Sequence, residues 1–295
     1  MAIITKGLTK WYGKAPGILD LSLEVHRGEV FGFLGPNGAG KTTTIRLLMG
    51  SLVPTSGSAL VLGTEPGPEA IGPRRNTGYV PGDTALYGHL TGTETIEYFS
   101  RIRGGVDGAY VAALLERLDL DPTRRVEDYS SGNRQKVALL LAWMHRPELL
   151  ILDEPTTGLD PLLQHEFYRM VDEARAAGVT VFLSSHILPE VERIADRVAV
   201  IRRGRLVVVD EVANLKARAL RRLEFHFAAP VSAAEFERLP AVRSVTAHDT
   251  SMIIEFEGEV DKVIKAAAPH FVIDVISREP DLEDVFLHLY QDITE

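Results

Sequence analysis

Tyr129-Ser130-Ser131-Gly132-Asn133, followed by Leu149-Leu150-Ile151-Leu152-Asp153-Glu154, decides how this chain is read. The first stretch is a turn of small residues that opens a helix. The second is an apolar strand that closes on two acids. Carboxylates at the C-terminal end of a buried parallel strand face the ligand crevice of an open α/β sheet. The plain alternative is a pair of surface acids at the start of a helix. Pro155-Thr156-Thr157-Gly158 continues as a loop instead, which counts against it.

Working back toward the N-terminus, Gly35-Pro36-Asn37-Gly38-Ala39-Gly40-Lys41-Thr42 matches GxxxxGK[ST] between a strand pattern (30–34) and a helix pattern (43–49). Glycines there let backbone N–H groups turn inward on phosphate oxygens, and the following helix adds its positive end. Lys41 reaches β- and γ-phosphates, Thr42 offers a hydroxyl to Mg2+, and Thr43 contacts the α-phosphate. With a nucleotide in that loop, Asp153 is placed to hold the metal through water. Glu154 is the candidate general base for the attacking water.

Outward from these motifs the pattern is α/β with a mostly parallel sheet. Strands are expected at 3–8, 18–25, 149–152, 179–183 and 198–201. Helices are expected at 94–103, 110–118, 134–146 and 162–176. In the second strand Leu19, Leu21, Leu23 and Val25 alternate with polar residues. From Arg222 the order changes to strand–helix–strand–strand–helix–strand, the order of a ferredoxin-like unit. A last helix is expected from Asp281, with Leu282, Val285, Phe286, Leu289 and Tyr290 on one apolar face.

Composition narrows the classes. The chain has 295 residues, room for one large domain and one small one. No apolar run approaches the ~20 residues that span a bilayer, and no signal peptide is expected. There are no cysteines, so disulfides and thiolate metal sites are excluded. The net charge is −9 and no basic stripe appears, which speaks against nucleic acid as a partner.

Taken together, these motifs resemble an ATP-binding-cassette ATPase over roughly residues 1–215. The resemblance implies a P-loop NTPase fold of this type, with an antiparallel β subdomain, a helical subdomain at about 88–147, and the ferredoxin-like accessory domain at 216–295. It implies ATP and Mg2+ as cofactors and a second cassette, of the same or a different chain, as partner. In such pairs the phosphate loop of one cassette and the signature turn of the other close on one ATP. Tyr12 matches the aromatic that stacks on adenine; read alone it would be a packing residue. Ser130 and Gly132 match the signature, with Ser131 and Asn133 standing where the family has glycine and glutamine. Asp160, after Gly158-Leu159, matches the interface loop. His186 matches the switch histidine that contacts the γ-phosphate and orients Glu154 or the water. Gly78-Tyr79-Val80-Pro81-Gly82-Asp83 lies where the family has a loop centred on glutamine, and Gly82 replaces that glutamine.

The segment Glu279-Pro280-Asp281-Leu282-Glu283-Asp284-Val285-Phe286-Leu287-His288-Leu289 resembles the closing segment of cassettes that serve separate membrane subunits of the type-2 exporter class. That resemblance implies export through a separate transmembrane permease, at the cytoplasmic face of the cell membrane. An importer cassette and a cytosolic regulatory ATPase stay open beside it.

Overall fold

The computed structural model describes residues 1–67, 69–218, 220–278, 281–283 and 285. Chain packing divides between Asp210 and Glu211 into two units. The helix expected from Asp281 falls largely outside the described residues.

The first unit opens with β1 (Ile3–Tyr12) and β2 (Ala15–Val25), which pair antiparallel. The register slips between Leu8 and Lys10, opposite Asp20 at φ 53. This bulge breaks the simple alternation expected of β2: Ile18 is fully buried, whereas Leu19 is only half-buried. Next come β3 (Val30–Leu34), α1 (Lys41–Leu48), β4 (Ser56–Val61), α2 (Ile71–Arg75) and β5 (Thr77–Val80). The stretch at Gly78-Tyr79-Val80 is thus a strand, and the loop proper begins at Pro81. The helical subdomain follows with α3 (Gly92–Arg103), α4 (Gly108–Arg117) and α5 (Ser131–Trp143). Then β6 (Leu149–Asp153), α6 (Pro161–Ala176), β7 (Thr180–Ser185), α7 (Leu188–Ile194), β8 (Arg197–Arg202) and β9 (Arg205–Glu211) complete the unit.

Two sheets result. One is β2-β1-β4, and the other runs β5-β6-β7-β3-β8-β9. Within the larger, β5, β6, β7, β3 and β8 are parallel neighbours. Every residue of β3 and β6 is buried, as expected of strands covered on both faces. Phe31 and Phe182 stack between β3 and β7 at 5.9 Å. The parallel run has a direct consequence: the C-terminal ends of β5, β6, β7 and β3 emerge on one edge.

α5 packs so tightly over β5 that a Cβ on Gly78 would strike the Ala142 carbonyl, which explains a glycine inside a four-residue strand. Arg117 on α4 forks onto Glu166 and Glu173 of α6, fixing the helical subdomain to the sheet's own helices.

The second unit contains α8 (Val212–Arg218), β10 (Arg221–Phe227), α9 (Ala234–Glu237), β11 (Val242–His248), β12 (Ser251–Phe256), α10 (Asp261–Ala267) and β13 (Val272–Arg278). Its sheet order is β11-β12-β10-β13, antiparallel throughout, the ferredoxin-like arrangement. Leu223, Phe225, Phe227, Phe236, Ile254, Phe256 and Val263 form its separate core. Edge strand β13 leaves Ile273, Val275 and Ile276 exposed, as is Phe271 just before it.

Candidate active site

The phosphate loop links β3 to α1. α3, α4, α5 and α6 each start on a side chain that caps them: Thr91, Asp107, Ser130 and Asp160. α1 differs. It starts on Gly40 at φ 115, with no side-chain cap and no acid in its first turn. Its first N–H groups are left to an anion. Only a glycine fits at position 40: besides its left-handed backbone, a Cβ there would lie 2.8 Å from the Gly17 carbonyl.

Lys41 projects from this turn and is 6% exposed. Its ammonium donates to the Gly35 carbonyl at 2.7 Å and lies 3.2 Å from Glu154 Oε1. Glu154 arrives from the end of β6, and its second oxygen, Oε2, is 2.6 Å from His186 Nδ1, from the end of β7. Three strand ends thereby bring a cation, a carboxylate and an imidazole into one chain of contacts. Glu154 adopts φ 52, a left-handed conformation unusual for a residue with a long side chain. Its N–H donates to the Ser184 carbonyl, and its own carbonyl accepts from Thr157. Strain of this kind gathers where geometry is held for function.

Asp153 lies directly beneath, fully buried. Oδ1 accepts from the Ser184 hydroxyl, and Oδ2 has no hydrogen-bond partner. A buried carboxylate oxygen without a donor is costly unless a cation or a water satisfies it. Among the described residues no group of three or more His, Asp or Glu side chains gathers. That donor set suits Mg2+, which takes one or two protein ligands and completes its shell with water and phosphate oxygens. A Cβ on Gly82 would come within 3.0 Å of Asp153 Oδ2. The glycine that replaces the family glutamine therefore lies against this acid.

Two neighbours carry shifted protonation. Burial pushes the Tyr79 phenol up, the Asp153 charge adds to it, and Arg46 opposes. Burial likewise pushes up the carboxyl of Glu190, which accepts from the Ser185 hydroxyl at 2.8 Å.

Lys41, Glu154 and His186 border a groove of about 580 Å³, whereas Asp153 is buried and does not line it. Tyr12, Pro36, Asn37, Gly38, Gly40, Lys41, Thr42, Thr43, Glu154 and His186 line it. Tyr12 and Thr43 approach through their hydroxyls at 3.4 Å. Gly35 and Ala39 lie under the loop instead; a Cβ on Gly35 would strike the Ile201 carbonyl. Pro16, Gly17, Arg46, Tyr79, Pro81, Asp83 and Thr157 also line the groove. Tyr79, Pro81 and Asp83 belong to the stretch set against the family's glutamine loop, whereas Pro16 and Gly17 carry no local sequence signal. Ser130, Gly132 and Asp160 are not among the lining residues. Ser130 accepts from Asn133 N–H as a helix cap, and Asp160 accepts from Leu162 and Leu163 N–H. Gly132 lies against the Gly158 carbonyl, where a Cβ would approach to 2.6 Å.

Comparison with known proteins identifies the family. Residues 18–157 match the family model described as ABC transporter. The bacitracin transport ATP-binding protein BcrA of Enterococcus faecalis is 33% identical over 97% of this chain and 96% of its own length. The linearmycin resistance ATP-binding protein LnrL of Bacillus subtilis is 31% identical over 96% of each. Among solved structures, an ATP binding subunit of an ABC transporter aligns at TM-score 0.67 and 31% identity, covering 73% of this chain and 92% of its own. A dimeric bacterial ABC transporter cassette shares the fold at TM-score 0.65 and 20% identity, over 71% of this chain and 98% of its own. With the strand ends, the uncapped α1 and these relatives in agreement, the chain belongs to the ABC transporter family, as one of its ATP-binding, ATP-hydrolysing subunits.

Proposed function

We propose that this chain binds MgATP in the groove, hydrolyses it with Glu154 as general base, and thereby energises export through separate membrane subunits. The observation that carries the chemistry is the contact chain Lys41–Glu154–His186 at the end of the parallel strands. In the structure Lys41 holds one Glu154 oxygen. Arriving phosphates draw the ammonium toward themselves, which frees that oxygen to take a proton from water. His186 Nδ1 holds the other oxygen and keeps the carboxylate aimed. The α1 N–H groups and Lys41 stabilise charge on the transferring group. Thr42 and, through water, Asp153 would hold Mg2+, which neutralises phosphate charge when bound.

The family resemblance gives Ser130 and Gly132 to the ATP of a second cassette and Asp160 to the cassette–cassette interface, and their place outside this chain's own groove is compatible with that. The close approach of Gly132 to the Gly158 carbonyl sets that surface beside the loop following Glu154.

Support for a membrane partner comes from the transport and resistance roles in the relatives' names and from one surface. Tyr87, Tyr98 and Ile102 are exposed together on the loop after β5 and on α3, with Tyr87 set edge-on to Tyr98 at 5.7 Å. Clustered exposed apolar side chains mark interaction sites. No described helix is long and apolar enough to cross a membrane. The place of action under this reading is the cytoplasmic membrane face. Affinity purification from solubilised membranes should bring a polytopic partner. Recovery of the chain alone from the soluble fraction would turn the reading toward a regulatory ATPase.

A further inference from the structure

Between β6 and α6 the chain runs as a loop, 154–160, and its geometry decides where the Glu154 carboxylate points. On one side it is held by the sheet. On the other it is held by a residue of the signature helix outside the motif itself. Gln135, in the second turn of α5, is 7% exposed. Its Nε2 donates to the Pro155 carbonyl at 2.8 Å, and its Oε1 accepts from the Thr84 hydroxyl at 3.1 Å. The orientation of the amide is forced, because Pro155 offers only an acceptor; the amide oxygen is then left for Thr84, whose hydroxyl must donate.

One buried amide therefore spans three segments. Pro155 follows Glu154 directly. Thr84 lies in the loop after β5, two residues beyond Gly82, which abuts Asp153 Oδ2. That loop also carries exposed Tyr87. Both ends of the amide are used, so displacing either neighbour leaves a buried polar atom without a partner. One side chain thus joins the loop after β5 to the Pro155–Thr156 peptide.

We propose that Gln135 is a positioning residue for ATP hydrolysis: its side-chain amide carries displacement of the 81–90 loop to the Pro155–Thr156 peptide, next to Glu154, so that turnover follows the loop's position. The inference rests on Glu154 being the general base, and it assigns a physical tether between the exposed surface and that base.

The test uses the full chain with Thr84→Val, Gln135→Leu, both together, and Glu154→Gln. Each single tether variant should lower kcat about tenfold, the effect of a modest misplacement of a reacting group, with KM for ATP within about twofold of wild type. The double variant should be no worse than Gln135→Leu alone. Amide hydrogen exchange across 154–158 should speed up in Thr84→Val, although the substitution lies in another segment. Unchanged exchange there, additive losses, or a raised KM at unchanged kcat would each overturn the tether. If Gln135→Leu fails to fold, Thr84→Val decides the matter alone, since it removes one hydroxyl and leaves the Pro155 bond intact. Exchange reads the tether whatever the base is. Full turnover by Glu154→Gln would sink only the assignment of Glu154.

Discussion

Glu154 touches both Lys41 and His186, yet its neutral amide analogue has nearly the same shape. Glu154→Gln should therefore keep ATP binding while turnover falls by about 10²-fold or more, the scale of losing a proton acceptor. Equilibrium nucleotide binding and single-turnover hydrolysis, measured side by side, check this. Near-normal hydrolysis would remove Glu154 from the mechanism. Gly82 has a different sensitivity. Because a Cβ there meets Asp153 Oδ2 at 3.0 Å and the carboxyl carbon at 3.2 Å, even Gly82→Ala presses on the acid assigned to the metal. The Mg2+ concentration for half-maximal ATPase should rise about tenfold, equivalent to about 1.4 kcal/mol. Metal-free ATP affinity should hold steady. An unchanged Mg2+ requirement would show that the loop simply yields.

At the scale of elements, α5 packs closely against β5. His145, just past α5, lies at that joint beside Arg103. Arg103 in turn donates to the Arg75 and Thr77 carbonyls. Burial, reinforced by the Arg103 guanidinium, lowers the His145 pKa from 6.5 to about 4. Between those values the unfolded chain binds the proton and the native one does not, so stability is complete above about pH 6.5 and is lost as pH falls toward about 4. The difference in urea midpoint between wild type and His145→Gln should change across that window and level off above it. A pH-independent difference would mean the imidazole is not kept neutral. Which elements were legible follows from the same local physics. The phosphate loop, the apolar strands β3, β6 and β7 and the amphipathic α6 each carry their own pattern. β5 is four residues with a glycine whose reason is the Ala142 carbonyl, and β4 reads Ser-Gly-Ser before its apolar end. β9 is only half-buried and shows no contrast. At the site, Lys41, Asp153, Glu154 and His186 were legible from motif order. Pro16 and Gly17 reach the groove only through packing, and the left-handed backbone of Glu154 has no signature in residue type.

The whole molecule comprises two units with separate cores. ATP contacts assigned to this chain lie in residues 1–210. Ligand at 100 times its Kd stabilises the unit that binds it by about 2.7 kcal/mol and leaves an independent unit unchanged. Calorimetry should thus show two transitions, of which ATP moves one. A common shift of both would show that the second unit's stability depends on nucleotide.

Edge strand β13 also bears on how the protein behaves in a test tube. Phe271-Val272-Ile273-Asp274-Val275-Ile276 joins strongly β-forming side chains with a single charge, and four of its apolar residues are exposed. Sequences of this kind add strands from other molecules unless something interrupts them. Asp274 is the interruption, a gatekeeper set in mid-run. Asp274→Val should leave ATPase activity intact in fresh preparations while light scattering climbs on storage at high concentration. Colloidal stability in this protein then depends on one carboxylate of the second unit that takes no part in the nucleotide site.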